Sequence, residues 1–498
     1  MRSGEDIMLE LAQLGRFRRF AALAGLALAF AAPGCVGDDT GSSTDDVTDI
    51  ANTDVKKQSI GNCWIYASVG WVESLRLTHS GEALNLSESY VTYWHWFEQL
   101  HGGGAGERAL AKLTQTDGVH ELTTGGWWAS AVEIMRRYGM LDEGVFIPEE
   151  EEDARSARQK SARNAINASL ESGVLKDLGA RQDATIVRAE LDKAWELNPE
   201  VTELLTTVFG ADVSTTLYAN PTIPANSGLR TVQSLEVGHN EAGDALSLAD
   251  AIGTPLYSYW GPPTRQGTYA WNSKSYPRYA TSRRSFQIKL QDAMHRRLPA
   301  IMIWYVDFAA LENDNTFRTP PDTPGRQGGH LTVVEDYQIK NVPGYGTLAA
   351  GELVTDPAIL EAALSKEAEI EFFRIKNSWG SSLSPDPNQG DALKGYYDLW
   401  MTYLNANLEH KDGDGSSYGL SGAILPPATF QSGGGEPDDP EDPVGDCAHD
   451  LCETGTVLDP TCDPCVAQIG EADPFCLQNS WDHICVEEVE SICGQTCD

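Results

Sequence analysis

Residues 58–75 read QSIGNCWIYASVGWVESL, and the reading of Cys63 within them decides the rest. Trp64, Ala67, Trp71, Val72 and Leu75 recur at helical spacing and mark one buried face. Asn62 is a favoured cap residue, so the pattern predicts a helix that begins at Cys63 and carries the thiol in its first turn. Unpaired N–H groups and the helix dipole favour an anion there, which biases the sulfur towards thiolate. A small apolar thiol filling a core is the competing expectation. The glycine before Asn62 and the rigid aromatic after Cys63 favour a nucleophile.

Cys63 also stands apart from the other cysteines. Eight of the ten, Cys447, Cys452, Cys462, Cys465, Cys476, Cys485, Cys493 and Cys497, crowd the last stretch of the chain. A segment that small cannot stabilise itself by core burial alone, and an even set at this density reads as four disulfides in an exported chain. Zinc is the weaker alternative, because only Cys462 and Cys465 form a CxxC pair, with His449 and His483 nearby. Neither a metal nor a cofactor is expected elsewhere. DGDGSS at 412–417 resembles a calcium loop, but it has Ser417 where the turn needs glycine and no closing glutamate, so it reads as a plain turn.

The chain has 498 residues, 36 basic against 73 acidic, a formal charge of −37. That charge repels phosphate backbones, so nucleic acid is excluded as an expected partner. Residues 1–34 read as an export signal: Arg16, Arg18 and Arg19 precede an apolar run from Phe20 to Ala32 that is too short to span a bilayer. Cys35 follows Gly34, in the manner of a bacterial lipoprotein signal, so Cys35 is the expected lipidation site and membrane attachment by an N-terminal lipid follows. The rival reading is cleavage after Ala31, releasing a soluble secreted protein. Residues 35–50 form an acidic spacer, 51–430 the main body, 431–446 a Gly, Pro and acid-rich linker, and 447–498 the cysteine-rich module. The module's partner is not legible.

A thiolate needs a base, and the base needs an orienting group. QGGHLTVVEDYQI places His330 behind two glycines at the start of a β-branched run that reads as a strand. FFRIKNSWG places Asn377 at the end of another, followed by Ser378, Trp379 and Gly380. An asparagine oxygen there can accept from an imidazole N–H while Trp379 shields the bond from water.

GNCW, GGHLTVV and KNSWG with GYY beyond it, in this order, resemble the papain-like cysteine peptidases. ALNLSESYVTYWHWFEQL and TTGGWWASAVEIMRRYGMLDEGVFIPE resemble the bleomycin hydrolase and aminopeptidase C group in particular. The resemblance implies an α+β, two-subdomain papain-like fold, with a large helical insertion at about 149–284 where it lapses. It implies Cys63 as nucleophile, His330 as base and acid, and Asn377 as orienting group. Gly125 and Gly126 become the backbone that pairs with an extended peptide or protein substrate, and Gln58 the oxyanion donor, although it stands five positions before the cysteine where the family has six. LSGAILPPATF resembles the approach of the arm that relatives place in their cleft, but here the chain runs on into the linker. Aminopeptidase and endopeptidase activity both stay open. The reading from another class is a catalytically silent papain-like surface protein attached through its cysteine-rich tail.

Overall fold

The computed structural model describes residues 50–101, 121–152, 156–217, 222–256, 264–380, 383–385, 393–409 and 416–432, and most of 451–493. The signal, Cys35, all of the acidic spacer but Ile50, nearly all of the linker and most of the suspected calcium loop lie outside the described residues. No described helix is long and apolar enough to cross a membrane.

Helix α1, Cys63–Ser80, starts directly after Asn62, as its place before the apolar run predicts. It ends at Gly81, whose φ of 70° is left-handed and whose N–H donates to the Leu77 carbonyl. Two expectations fail here. Asn62 makes no side-chain cap bond; its Nδ2 donates instead to Thr92 Oγ1 and Gln159 Oε1, both at 3.0 Å, tying the helix start to its neighbours. The helix is not one-faced either, since every residue from Cys63 to Leu75 is buried. It runs through the middle of the body, with aromatic helices on one side and a sheet on the other, so no face is left for water.

Helices α2 (Glu88–His101) and α3 (Trp128–Tyr138) pack on α1. Trp71 meets Trp128 edge-on at 5.7 Å, and Trp94 stacks on Tyr138 at 4.0 Å. Further on come α4 (Ala157–Ser172), α5 (Ala184–Ala194) and α6 (Pro199–Phe209). The region expected as a helical insertion is more mixed. Residues Glu236–His239 pair with Ala245–Ser247, and Thr254–Leu256 with Thr264–Gln266. Its buried side chains, such as Leu170, Val187, Trp195 and Val237, share one core with α1.

The other half is an eight-stranded sheet preceded in part by helix α7 (Ala280–His295). Its strands are β1 (Asn272–Ser275), β2 (Ile301–Asp307), β3 (Thr316–Phe317), β4 (Gln327–Val342), β5 (Gly346–Leu348), β6 (Glu369–Lys376), β7 (Tyr396–Trp400) and β8 (Leu420–Leu425). The order is β1-β8-β2-β4-β6-β7-β3, with β5 added to β4, and only β7 and β3 run parallel. A second core of Trp304, Phe317, Tyr337, Phe373 and Tyr403 fills this half. Strand alternation splits β4 between the two cores: Leu331 and Val333 join the core of α1, Val334 the core of the sheet.

In the C-terminal segment, helices α8 (Pro464–Ala472) and α9 (His483–Cys493) surround a small core of Val466, Ile469, Trp481 and Val489. Cys465 is bonded to Cys493 and Cys476 to Cys485. Cys465 is thereby withdrawn from the zinc alternative.

Candidate active site

The register of the sheet gathers the suspected residues. His330 sits fourth in β4, opposite Trp304 of β2, while Val333 lies opposite Lys376, the last residue of β6. Asn377 is next in the chain, so it emerges beside His330. The His330 Nε2 and Asn377 Oδ1 are 2.8 Å apart. The same Oδ1 accepts from the Ser378 backbone N–H at 2.8 Å, which fixes it as the oxygen of the amide. His330 Nε2 is therefore the protonated nitrogen, and Nδ1 holds the basic lone pair. Trp379 lies almost parallel over the imidazole, 4.9 Å between centroids and 19° between planes, and covers the bond from solvent.

Cys63 arrives from the other half. Helix α1 lies against β4, and the backbone of Trp64, on its own helix, and of Leu331, the residue after His330, lies close enough to the thiol to draw its pKa down. Cys63 is the free cysteine among the described residues, and it is buried. Burial pushes its thiol up to about 11, against the backbone donors that pull it down. Burial likewise lowers His330 to about 4, against the Asn377 bond. The expected bias towards thiolate is thus outweighed: with the site closed over it, the sulfur keeps its proton and the imidazole is neutral.

Gln58 is latched in place. Its N–H donates to the Ser378 carbonyl at 2.9 Å, its Oε1 accepts from Ser378 Oγ at 2.6 Å, and its Nε2 donates to the Ile60 carbonyl at 2.8 Å. The amide nitrogen carries a second hydrogen beyond that bond. The two glycines differ. A side chain on Gly125 would meet open space, whereas one on Gly126 would drive into the Trp64 indole at 2.4 Å. Packing against Trp64, the residue after Cys63, is what forbids a side chain at Gly126.

Behind the site lies a buried ion cluster that sequence reading missed. Lys56 sits 3.3 Å from Glu73, 3.2 Å from Glu88 and 3.4 Å from Glu143. Burial opposes its charge, but the three carboxylates outweigh that and hold its pKa above the usual lysine range. Glu88 is pushed up to about 8 by burial, with Lys56 pulling the other way. Lys376 Nζ donates to Thr53 Oγ1, which donates to Glu73. The strand residue before Asn377, the segment before Gln58 and α1 are thereby joined, around a cavity of about 20 Å³ lined by Lys56, Glu73, Lys376 and Asn377. Such a cavity has room for about one water. Nothing in the local pattern at Lys56 signals this, because its partners lie 17, 32 and 87 positions away.

Over its described residues, the arm after β8 runs away from Cys63. Gln431 pairs with His239, and the Ser432 carbonyl lies 3.1 Å from His79 Nδ1, near the far end of α1. Sixteen residues of helix put that point about 24 Å from Cys63.

An imidazole oriented by an amide, on the strand against which a helix carrying a lone thiol at its start is packed, is an arrangement fit for nucleophilic acyl transfer. Among solved structures, PepW from Lactobacillus rhamnosis is 11% identical, with 78% of this chain and 84% of that chain covered and a TM-score of 0.36. Xylellain, a cysteine protease from Xylella fastidiosa, is 11% identical, with 76% and 84% covered and a TM-score of 0.28. Likenesses this distant carry no weight for the chemistry of the site, which rests on its own geometry. Residues 445–497 match a family model described as a domain of unknown function, DUF8252. A comparison with curated proteins finds no match.

Proposed function

We propose that the chain is a thiol-dependent peptide hydrolase of papain-like type, exported and attached by a lipid on Cys35, acting on extended peptides through Cys63, His330 and Asn377. The observation that carries the reading is the 2.8 Å contact between His330 Nε2 and Asn377 Oδ1, under Trp379 and next to the Leu331 amide that faces the thiol.

In this mechanism the substrate carbonyl approaches Cys63, and His330 Nδ1 takes the thiol proton as the sulfur attacks the carbonyl carbon. A neutral imidazole is the form able to do so. The oxyanion is held by the Cys63 N–H and the second N–H of Gln58, which Ser378 keeps aimed. The imidazolium then gives its proton to the leaving amine, the C–N bond breaks and a thioester remains. Water, deprotonated by the same nitrogen, releases the acid and restores the thiol. Asn377 keeps the ring in one tautomer throughout.

The test is turnover of unstructured peptides, with free and with blocked amino ends, by the intact chain. Hydrolysis should fall at least about 10³-fold in Cys63→Ala and in His330→Ala. A chain that leaves a broad peptide library uncut, or variants that keep cutting, would end this reading. A requirement for the free amino end would assign aminopeptidase action.

A further inference from the structure

The segment before the two glycines is suspended from a buried amide. Gln99, on the inner side of α2, bonds to three groups of one residue: its Oε1 accepts from the Thr123 N–H and the Thr123 hydroxyl, both at 3.0 Å, and its Nε2 donates to the Thr123 carbonyl at 2.9 Å. Such a clasp fixes both backbone groups of a residue that has no helix or strand to hold it. The Thr123 N–H fixes which end of the amide is which, so Nε2 also donates to His95 Nε2, one turn earlier, at 2.7 Å. Its acceptor role needs a neutral ring, and burial lowers it to about 4. Gln99 and His95 are each 2% exposed.

Two further bonds hold the segment on either side. Asn167 of α4 accepts from the Leu122 N–H at 2.8 Å, and the Trp64 indole donates to the Thr124 carbonyl at 2.8 Å. Trp64 follows the nucleophile directly and stands edge-on to His95 at 4.8 Å. The next residue, Gly125, is exposed, with open space where its side chain would be. The rigid network therefore ends at a bare, accessible stretch of backbone, positioned from the residue beside the thiol.

We propose that Gln99 is a positioning residue for substrate: it sets Thr123 to Gly125 as the edge on which an extended peptide backbone lies beside Cys63. This rests on the peptidase reading of the site. Gln99 touches neither the thiol nor His330, so its loss should spare the reactivity of the sulfur and weaken peptide engagement.

The experiment compares the intact chain with Gln99→Met, of similar length but unable to clasp Thr123, and with Gln99→Glu, which keeps the acceptor for Thr123 and loses the donor. Two rates are measured for each: kcat and KM for an unstructured peptide, and alkylation of Cys63 by iodoacetamide, which needs no backbone pairing. Gln99→Met should lose about tenfold to a hundredfold in kcat/KM, mostly through KM. Gln99→Glu should fall between, and alkylation should stay within about twofold for both. Peptide kinetics unchanged in Gln99→Met, or both rates falling together as in a misfolded variant, would overturn the proposal. Absence of turnover in the intact chain would sink the peptidase reading and this one with it, whereas turnover that ignores Gln99 sinks this one alone.

Discussion

Cysteine does opposite work in the body and in the C-terminal segment. The body buries Trp64, Trp71, Trp94, Trp96, Trp195, Trp271 and Trp304 almost completely, and it holds its cysteine free. The described C-terminal core counts eight buried residues, three of which, Cys465, Cys476 and Cys485, are half-cystines. A large core stabilises itself and leaves a thiol available for chemistry; a small one needs covalent staples. The number of cysteines therefore says little until the apolar area around each one is known.

Reductant should separate the two regions most sharply. Opening the Cys465–Cys493 and Cys476–Cys485 bonds removes cross-links worth roughly 2–5 kcal/mol each in small domains, enough to unfold the segment while the body melts unchanged. Far-UV circular dichroism and limited proteolysis with and without dithiothreitol check this, and a body that melts earlier under reductant breaks the contrast. Next comes Lys56→Met. It strands Glu73, Glu88 and Glu143 without their cation, and removing one partner of a buried ion pair costs about 3–5 kcal/mol. Urea unfolding should show that loss in the body's transition alone.

A smaller effect concerns the thiol itself. With burial holding Cys63 at about 11 and His330 at about 4, the thiolate fraction rises tenfold per pH unit across the neutral range. Alkylation of Cys63 by iodoacetamide should then increase about a hundredfold from pH 6 to pH 8. A rate flat across that window would show an imidazolium–thiolate pair instead. For peptide turnover the sign follows from the base: His330 works neutral, so the acid limb of kcat/KM belongs near its lowered pKa of about 4.

The helix that begins at Cys63, the strand that carries His330 and the one that ends just before Asn377, and the stapling of Cys465 and Cys476 were legible because each rests on local pattern. Apolar spacing marked the body of α1 and the cap position of Asn62 its start, β-branched runs placed β4 and β6, and cysteine density marked the tail. What escaped was set by distant partners. Asn62 reads as a cap by propensity, but Thr92 and Gln159 claim its side chain. The dipole of α1 does favour a thiolate locally, but desolvation by burial outweighs it. At Gly126 the lack of a side chain is required by Trp64, sixty-two positions away, which no local pattern shows. Gln99 left one trace, a polar pair with His95 four residues apart on a helix otherwise buried by aromatics.

The most direct test of the central claim is to trap the sulfur. The intact chain is incubated with a peptidyl epoxide and analysed by intact mass and peptide mapping, beside His330→Ala. The account predicts a single adduct on Cys63 that forms at least about a hundredfold more slowly in His330→Ala. No adduct, an adduct on another residue, or equal labelling of both proteins would contradict it.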